Sequence, residues 1–87
     1  MMDELPPRRV YGADPEDPAP SPGRSYRELV GGPLDGMLLD VTGWTGRELT
    51  EGAALHTEIG QYGAGGRALY EPRSAGAELW DWQGDAP

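Results

Sequence analysis

Tyr26-Arg27-Glu28-Leu29-Val30-Gly31-Gly32-Pro33-Leu34-Asp35-Gly36-Met37-Leu38-Leu39-Asp40-Val41 reads as two short strand-like runs folded back on each other. Apolar runs on either side of Gly-Gly-Pro and Asp-Gly are the signature of a hairpin. Pro33 presets the backbone angle for the second position of a turn, and Gly36 can take a positive φ without strain.

C-terminal to this hairpin, Trp44-Thr45-Gly46-Arg47-Glu48 carries a capping box, with Thr45 as N-cap and Glu48 three residues on. It predicts a helical turn from 45 to about 51, ended by Gly52. The stretch 54–59 then alternates, which predicts a strand with Leu55, Thr57 and Ile59 on one face. One continuous helix over 45–59 is the competing reading, because Leu49, Ala53, His56 and Ile59 would share a helical face. A mid-helix Gly52 would cost that helix about 1 kcal/mol, which favours helix then strand. Gly63-Ala64-Gly65-Gly66 is a turn, 67–71 a strand stopped by Pro72, 73–76 a second turn and 78–83 the last strand. The fold class expected is α+β and β-rich: about five short antiparallel strands, one short helix and an extended Pro-rich N-terminal arm.

The arm is residues 1–24 and the folded domain residues 25–87. Six of the nine prolines fall in the arm, at 6, 7, 15, 18, 20 and 22. Proline fixes φ and removes a donor, so this stretch is expected to be extended and solvated. Its main large apolar side chains are Leu5, Val10 and Tyr11. These are expected to anchor the arm on a partner, with Arg8 and Arg9 pairing acidic groups there. On that reading a chain starting at Ser25 keeps its melting temperature.

Composition narrows the function. The chain has 87 residues, a net charge of −8, no Cys, one His and seven basic residues, all Arg. A domain this small buries only about 60% of the surface its unfolded chain exposes, so it is marginal alone. Without Cys there is no disulfide, and one His leaves no usual zinc site within one chain. A partner or self-association is the remaining support. The acidity argues against binding nucleic acid or an anionic membrane, both of which need basic patches. No apolar run reaches the roughly 20 residues of a membrane span, and no secretory h-region is visible at the start. The absence of Lys, Asn and Phe and the single Ile point to a GC-rich genome.

No motif carries catalysis. Gly63-x-Gly65-x-x-Ala68 fits a loose dinucleotide fingerprint, but no strand–helix–strand unit surrounds it, so turn chemistry explains these glycines. His56 lacks converging partners and reads as a partly buried structural histidine. Glu78, Asp81 and Asp85 do not match a calcium loop and read as solvated surface. The aromatics say more. Trp80 and Trp82 lie two apart and share a strand face, with Tyr70 across the hairpin. They read first as core and second as a partner-facing patch, since Trp and Tyr are typical interface anchors. The candidate partner-binding residues are therefore Leu5, Arg8, Arg9, Val10, Tyr11, Tyr70, Trp80 and Trp82.

The Gly31–Gly36 turn after a Tyr-containing strand resembles a hairpin common in small proteins of bacteriophages and prophages of high-GC bacteria. The stretch 62–70 and the ending Trp80-Asp81-Trp82-Gln83-Gly84-Asp85 are similar to one subgroup of these. The resemblance covers residues 25–87 and implies a phage context, no cofactor and protein partners. The expected function is non-enzymatic: a small accessory or decoration subunit of a virion, located in the particle or the host cytoplasm. The alternative is a free intracellular acidic protein that binds and modulates a host or phage protein.

Overall fold

The computed structural model describes residues 9–13 and 19–87. The hairpin forms as its turn chemistry requires. Strand β1 (Tyr26–Val30) pairs antiparallel with β2 (Leu38–Asp40), with Tyr26 opposite Asp40 and Glu28 opposite Leu38. The turn closes through Gly36 N–H to the Leu29 carbonyl (2.7 Å) and Gly31 N–H to Asp35 Oδ1 (2.7 Å). Leu29, Leu39 and Val41 point inward and are buried.

Helix α1 (Gly46–Glu51) starts at Thr45, and both halves of the capping box are made: Glu48 N–H to Thr45 Oγ1 (3.2 Å) and Thr45 N–H to Glu48 Oε1 (2.8 Å). Gly52 ends it at φ +83°, a conformation that favours glycine. A side chain there would press on the Tyr70 carbonyl oxygen and lie 3.0 Å from Glu71 Cα. Backbone conformation and close approach both demand glycine, so a single helix over 45–59 does not form. Strand β3 (Ala53–Thr57) follows, with Leu55 and Thr57 buried. Ile59, expected on the same inner face, is instead 74% exposed. The Thr57 hydroxyl accepts the Ile59 N–H (3.2 Å), a local side-chain-to-backbone bond that competes with the ladder as the strand ends.

Strands β4 (Gly66–Pro72) and β5 (Leu79–Ala86) complete one curled sheet in the order β2-β1-β5-β4-β3. The fold is small and β-rich, of the α+β class. One expectation needs correction: β1 and β5 run parallel, with Leu29 opposite Trp80. The two strands are far apart in sequence, and no turn fixes their relative direction. Their pairing sets Leu29 and Trp80, both fully buried, side by side. Tyr70 is the third fully buried large side chain, and Trp44 tilts against Trp80 at 57° with ring centroids 6.0 Å apart.

Part of the stretch before residue 25 is joined to the sheet. Arg9–Tyr11 lie along the outer edge of β2, with Val10 bridged parallel to Leu38. Leu38 N–H donates to the Arg9 carbonyl and Tyr11 N–H to the Leu38 carbonyl, each at 2.8 Å. The Tyr11 ring packs against the core, and its hydroxyl donates to the His56 carbonyl on β3 (2.6 Å). β2 and β3 are the two edges of the sheet, so Tyr11 ties them across the seam of the curl. Burial pushes its phenol pKa above the ordinary value. The sheet thereby covers an edge that would otherwise expose unpaired backbone.

Where the chain enters β1, Asp40 accepts the Thr42 N–H (3.0 Å) and pairs with Arg24, while Thr42 Oγ1 accepts the Ser25 N–H (2.8 Å). The bonds from Thr42, and then that from Arg24, pull the Asp40 carboxyl down to about 2. A folded-state pKa below the unfolded 3.8 means that this contribution is whole above pH 4 and lost as pH falls through 2. Acid unfolding of Asp40→Asn should therefore depend less steeply on pH between about 4 and 2 than that of the parent chain. Equal slopes in denaturant titrations across that window would refute the assignment.

Candidate protein-binding surface

The surface grows from two sequence stretches that the fold brings together. Gly31 and Gly32 both have positive φ, +83° and +67°. Gly32 lies directly under the Trp82 indole: a Cβ on it would be 2.6 Å from Trp82 Cδ2. The hairpin turn and the Trp82 side chain are thus one packed unit. Tyr70 fixes the turn from below, its hydroxyl donating to the Gly31 carbonyl (2.7 Å) and accepting the Leu34 N–H (3.0 Å). Burial pushes the Tyr70 phenol pKa above the ordinary value.

From its other side the indole is held by Asp85. Trp82 Nε1–H donates to Asp85 Oδ1 (2.9 Å), and Asp85 Oδ2 accepts the Gln61 N–H (2.7 Å). Gly60 sits against that carboxylate, where a Cβ would come 2.8 Å from Oδ2. The same loop carries Ile59 and Tyr62, and Tyr62 lies over Gly66. Trp82 is 40% exposed and Tyr62 46%. Ile59, on the same loop, is 74% exposed; these three exposed apolar side chains make up a rim whose elements are joined through the Asp85 carboxylate, with Asp35 in the hairpin turn. Arg67, at the start of β4, is turned to the Pro87 carbonyl (3.4 Å).

The structure redistributes the expected partner-binding residues. Trp82 is at the surface, but Tyr70 and Trp80 have no exposed area and are withdrawn from the patch. The physical reason is position along β5: Trp80 lies beside Leu29 inside the curl, while Trp82, two residues on, rests on the hairpin turn with part of its side chain in solvent. Val10 and Tyr11 are half-buried against β2, so their apolar area serves this chain's own fold. The Arg9 side chain is exposed; Leu5 and Arg8 lie outside the described residues. Asp85, expected as solvated surface, is instead the hydrogen-bonded centre of the rim. His56 is exposed, not partly buried, and contributes only its carbonyl to the Tyr11 bond.

Ile59, Gln61, Tyr62 and Asp85 were missed as site residues. Ile59 ends the alternating run 55-57-59, and only the Gly60 that follows it marks the point where the strand stops and the side chain turns outward. Asp81, across the sheet from Glu71, is held by a bidentate pair with Arg73 (2.9 and 3.0 Å) and plays no part in the rim.

Other concavities are shallow. A cleft of about 300 Å³ runs between Tyr11, Tyr26 and the Arg24–Asp40 pair. A second, of about 240 Å³, lies between Thr50 and the 72–76 turn. Among the described residues no group of three or more His, Cys, Asp or Glu is placed to hold a metal, and no helix is long and apolar enough to cross a membrane. No protein family, curated protein or solved structure matches the chain.

Proposed function

We propose that this chain is a non-enzymatic protein-binding module that serves as a small accessory or decoration subunit of a phage particle, with the Trp82 rim as its contact. The observation that carries the binding role is the fixed presentation of Trp82. One part of the indole rests on Gly32 and its N–H is bonded to Asp85, yet 40% of the side chain faces solvent. A large aromatic already immobilised loses little entropy on docking, which is the usual character of an interface anchor. Exposed Ile59 and Tyr62 are carried on the loop that the Asp85 carboxylate joins to Trp82. The phage setting rests on the resemblance of the Gly31–Gly36 hairpin and the Trp-x-Trp-x-Gly-Asp ending, and the particle or host cytoplasm follows as location.

The second reading, a free intracellular protein that modulates a host or phage protein, draws on the net charge of −8. Particles purified from cells expressing the tagged chain beside its neighbouring genes separate the two. Trp82→Ala should abolish co-purification with particles, or weaken capture of the partner about tenfold or more, as loss of a hot-spot aromatic does, while the protein stays folded. A folded Trp82→Ala chain that is captured at full strength would remove the rim from the proposal.

A further inference from the structure

We propose that the Asp35–Gly36 peptide of the hairpin turn is a modification site, held unreactive by the folded turn and converted to isoaspartate when the turn opens. It is the only Asp-Gly pair in the chain, and the chain has no Asn. In an opened turn the Gly36 nitrogen attacks the carbon of the Asp35 side-chain carboxyl. A nitrogen–carbon bond forms, the nitrogen's proton and the carboxyl hydroxyl leave as water, and a succinimide ring results. Water then opens the ring at either carbonyl. One opening restores aspartate; the other gives isoaspartate, in which the main chain runs through the former side chain. No other reactant is consumed. Glycine places no side chain against the closing ring.

The folded turn occupies both reacting groups. Gly36 N–H donates to the Leu29 carbonyl at 2.7 Å, which opposes loss of the proton that attack requires. Asp35 Oδ1 accepts the Gly31 N–H, also at 2.7 Å. The Asp35 N–H reaches the Gly32 carbonyl at 3.3 Å, and Gly36 is set at φ +87°. The fully buried Tyr70 braces the same turn through the Gly31 carbonyl and the Leu34 N–H. Attack needs the bonds of Gly36 N–H and Asp35 Oδ1 broken together. With each of ordinary net strength, the open turn is about thirtyfold less populated than the closed one, and conversion slows by that factor where opening and closing outpace it.

Conversion outlasts the opening that allowed it. Isoaspartate adds a methylene to the main chain ahead of Gly36 and carries its carboxylate directly on Cα. The Gly36 N–H is then out of register with the Leu29 carbonyl, and the bond from Gly31 is lost. Gly32, on which the Trp82 indole rests, belongs to the same turn. A converted chain therefore loses the fixed seat of Trp82, and the site records time spent open.

Ring opening takes up one oxygen atom from water, so incubating the full-length chain in heavy-oxygen water near neutral pH counts the events by mass. The peptide carrying Asp35 and Gly36 should gain label steadily in denaturing urea, and about thirtyfold or more slowly in the folded chain. Part of the labelled peptide should resist endoproteinase Asp-N, which does not cut before isoaspartate. Tyr70→Phe removes the hydroxyl that braces the turn and keeps the ring in the core, and should speed labelling of the folded chain about fivefold. Equal rates with and without urea, or no label in urea, overturn the proposal. An unchanged rate in folded Tyr70→Phe overturns the bonded turn as the gate.

Discussion

Trp80→Ala should leave the domain largely unfolded near physiological temperature, whereas Trp82→Ala should leave it folded. Both are tryptophans on β5, two residues apart, and the difference lies in what surrounds them. Trp80 is fully buried, opposite Leu29 on β1 and against the Trp44 ring. Truncating a buried Trp costs about 3–5 kcal/mol through lost transfer energy and the cavity left behind. A chain of 87 residues has about 4–13 kcal/mol of stability in all. At about 4–8 °C per kcal/mol, the melting temperature should fall by about 12–40 °C. β5 is also the only link between the β1–β2 hairpin and the β4–β3 hairpin in the sheet order, so a cavity at Trp80 loosens both. Trp82 has the Gly32 backbone on one side and solvent on the other, and its removal leaves no enclosed cavity. Thermal unfolding followed by far-ultraviolet circular dichroism measures both variants. Equal losses in the two would show that the rim is part of the core.

The same contrast shows what could be read along the chain. The hairpin, the capping box and the break at Gly52 were legible because each is settled by residues within a few positions: Pro33 and Gly36 in a turn, Thr45 and Glu48 across one helical turn, a glycine at positive φ. Trp80 and Trp82 were correctly placed on one strand, but a period of two cannot tell which of them lies inside the curl and which rests on the hairpin turn, partly in solvent. That depends on β1 pairing with β5 across some fifty residues, in a parallel sense that no turn encodes. The candidate rim was half legible. Its central Trp82 was named, while Ile59 was assigned to the inner face, because the alternation 55-57-59 continues past the point where the Thr57 hydroxyl takes the Ile59 N–H. Asp85 gave no sign, since its role comes from accepting bonds from Trp82 and Gln61 at once.

Removing the arm should destabilise the protein, against the expectation from its composition. A chain beginning at Ser25 should lose about 1–3 kcal/mol relative to the full chain, a balance of bonds and burial against ordering entropy. The favourable side is two backbone bonds to Leu38, the Tyr11 hydroxyl bond to His56, and the partial burial of the Tyr11 ring and Val10. Each hydrogen bond contributes about 1 kcal/mol net, and full burial of a large apolar side chain about 1.5–3 kcal/mol. Against this stands about 1–2 kcal/mol of backbone entropy for each of the three residues held along β2. Pro-rich composition made the whole stretch look unable to repay that cost, but the three residues that repay it contain no proline, and Tyr11 alone gains both packing and a bond. Tyr11→Ala should therefore reproduce most of the loss. Tyr11→Phe, which keeps the ring and removes only the bond across the seam, should cost about 1 kcal/mol. Urea titrations of the three variants decide the matter through their midpoints. If the chain from Ser25 unfolds at the same urea concentration as the full chain, then Arg9–Tyr11 ride on β2 without supporting it, and the curl is held by β1–β5 pairing alone. If Tyr11→Phe costs as much as Tyr11→Ala, the hydroxyl bridge to β3 is the element that closes the sheet, and the ring is incidental.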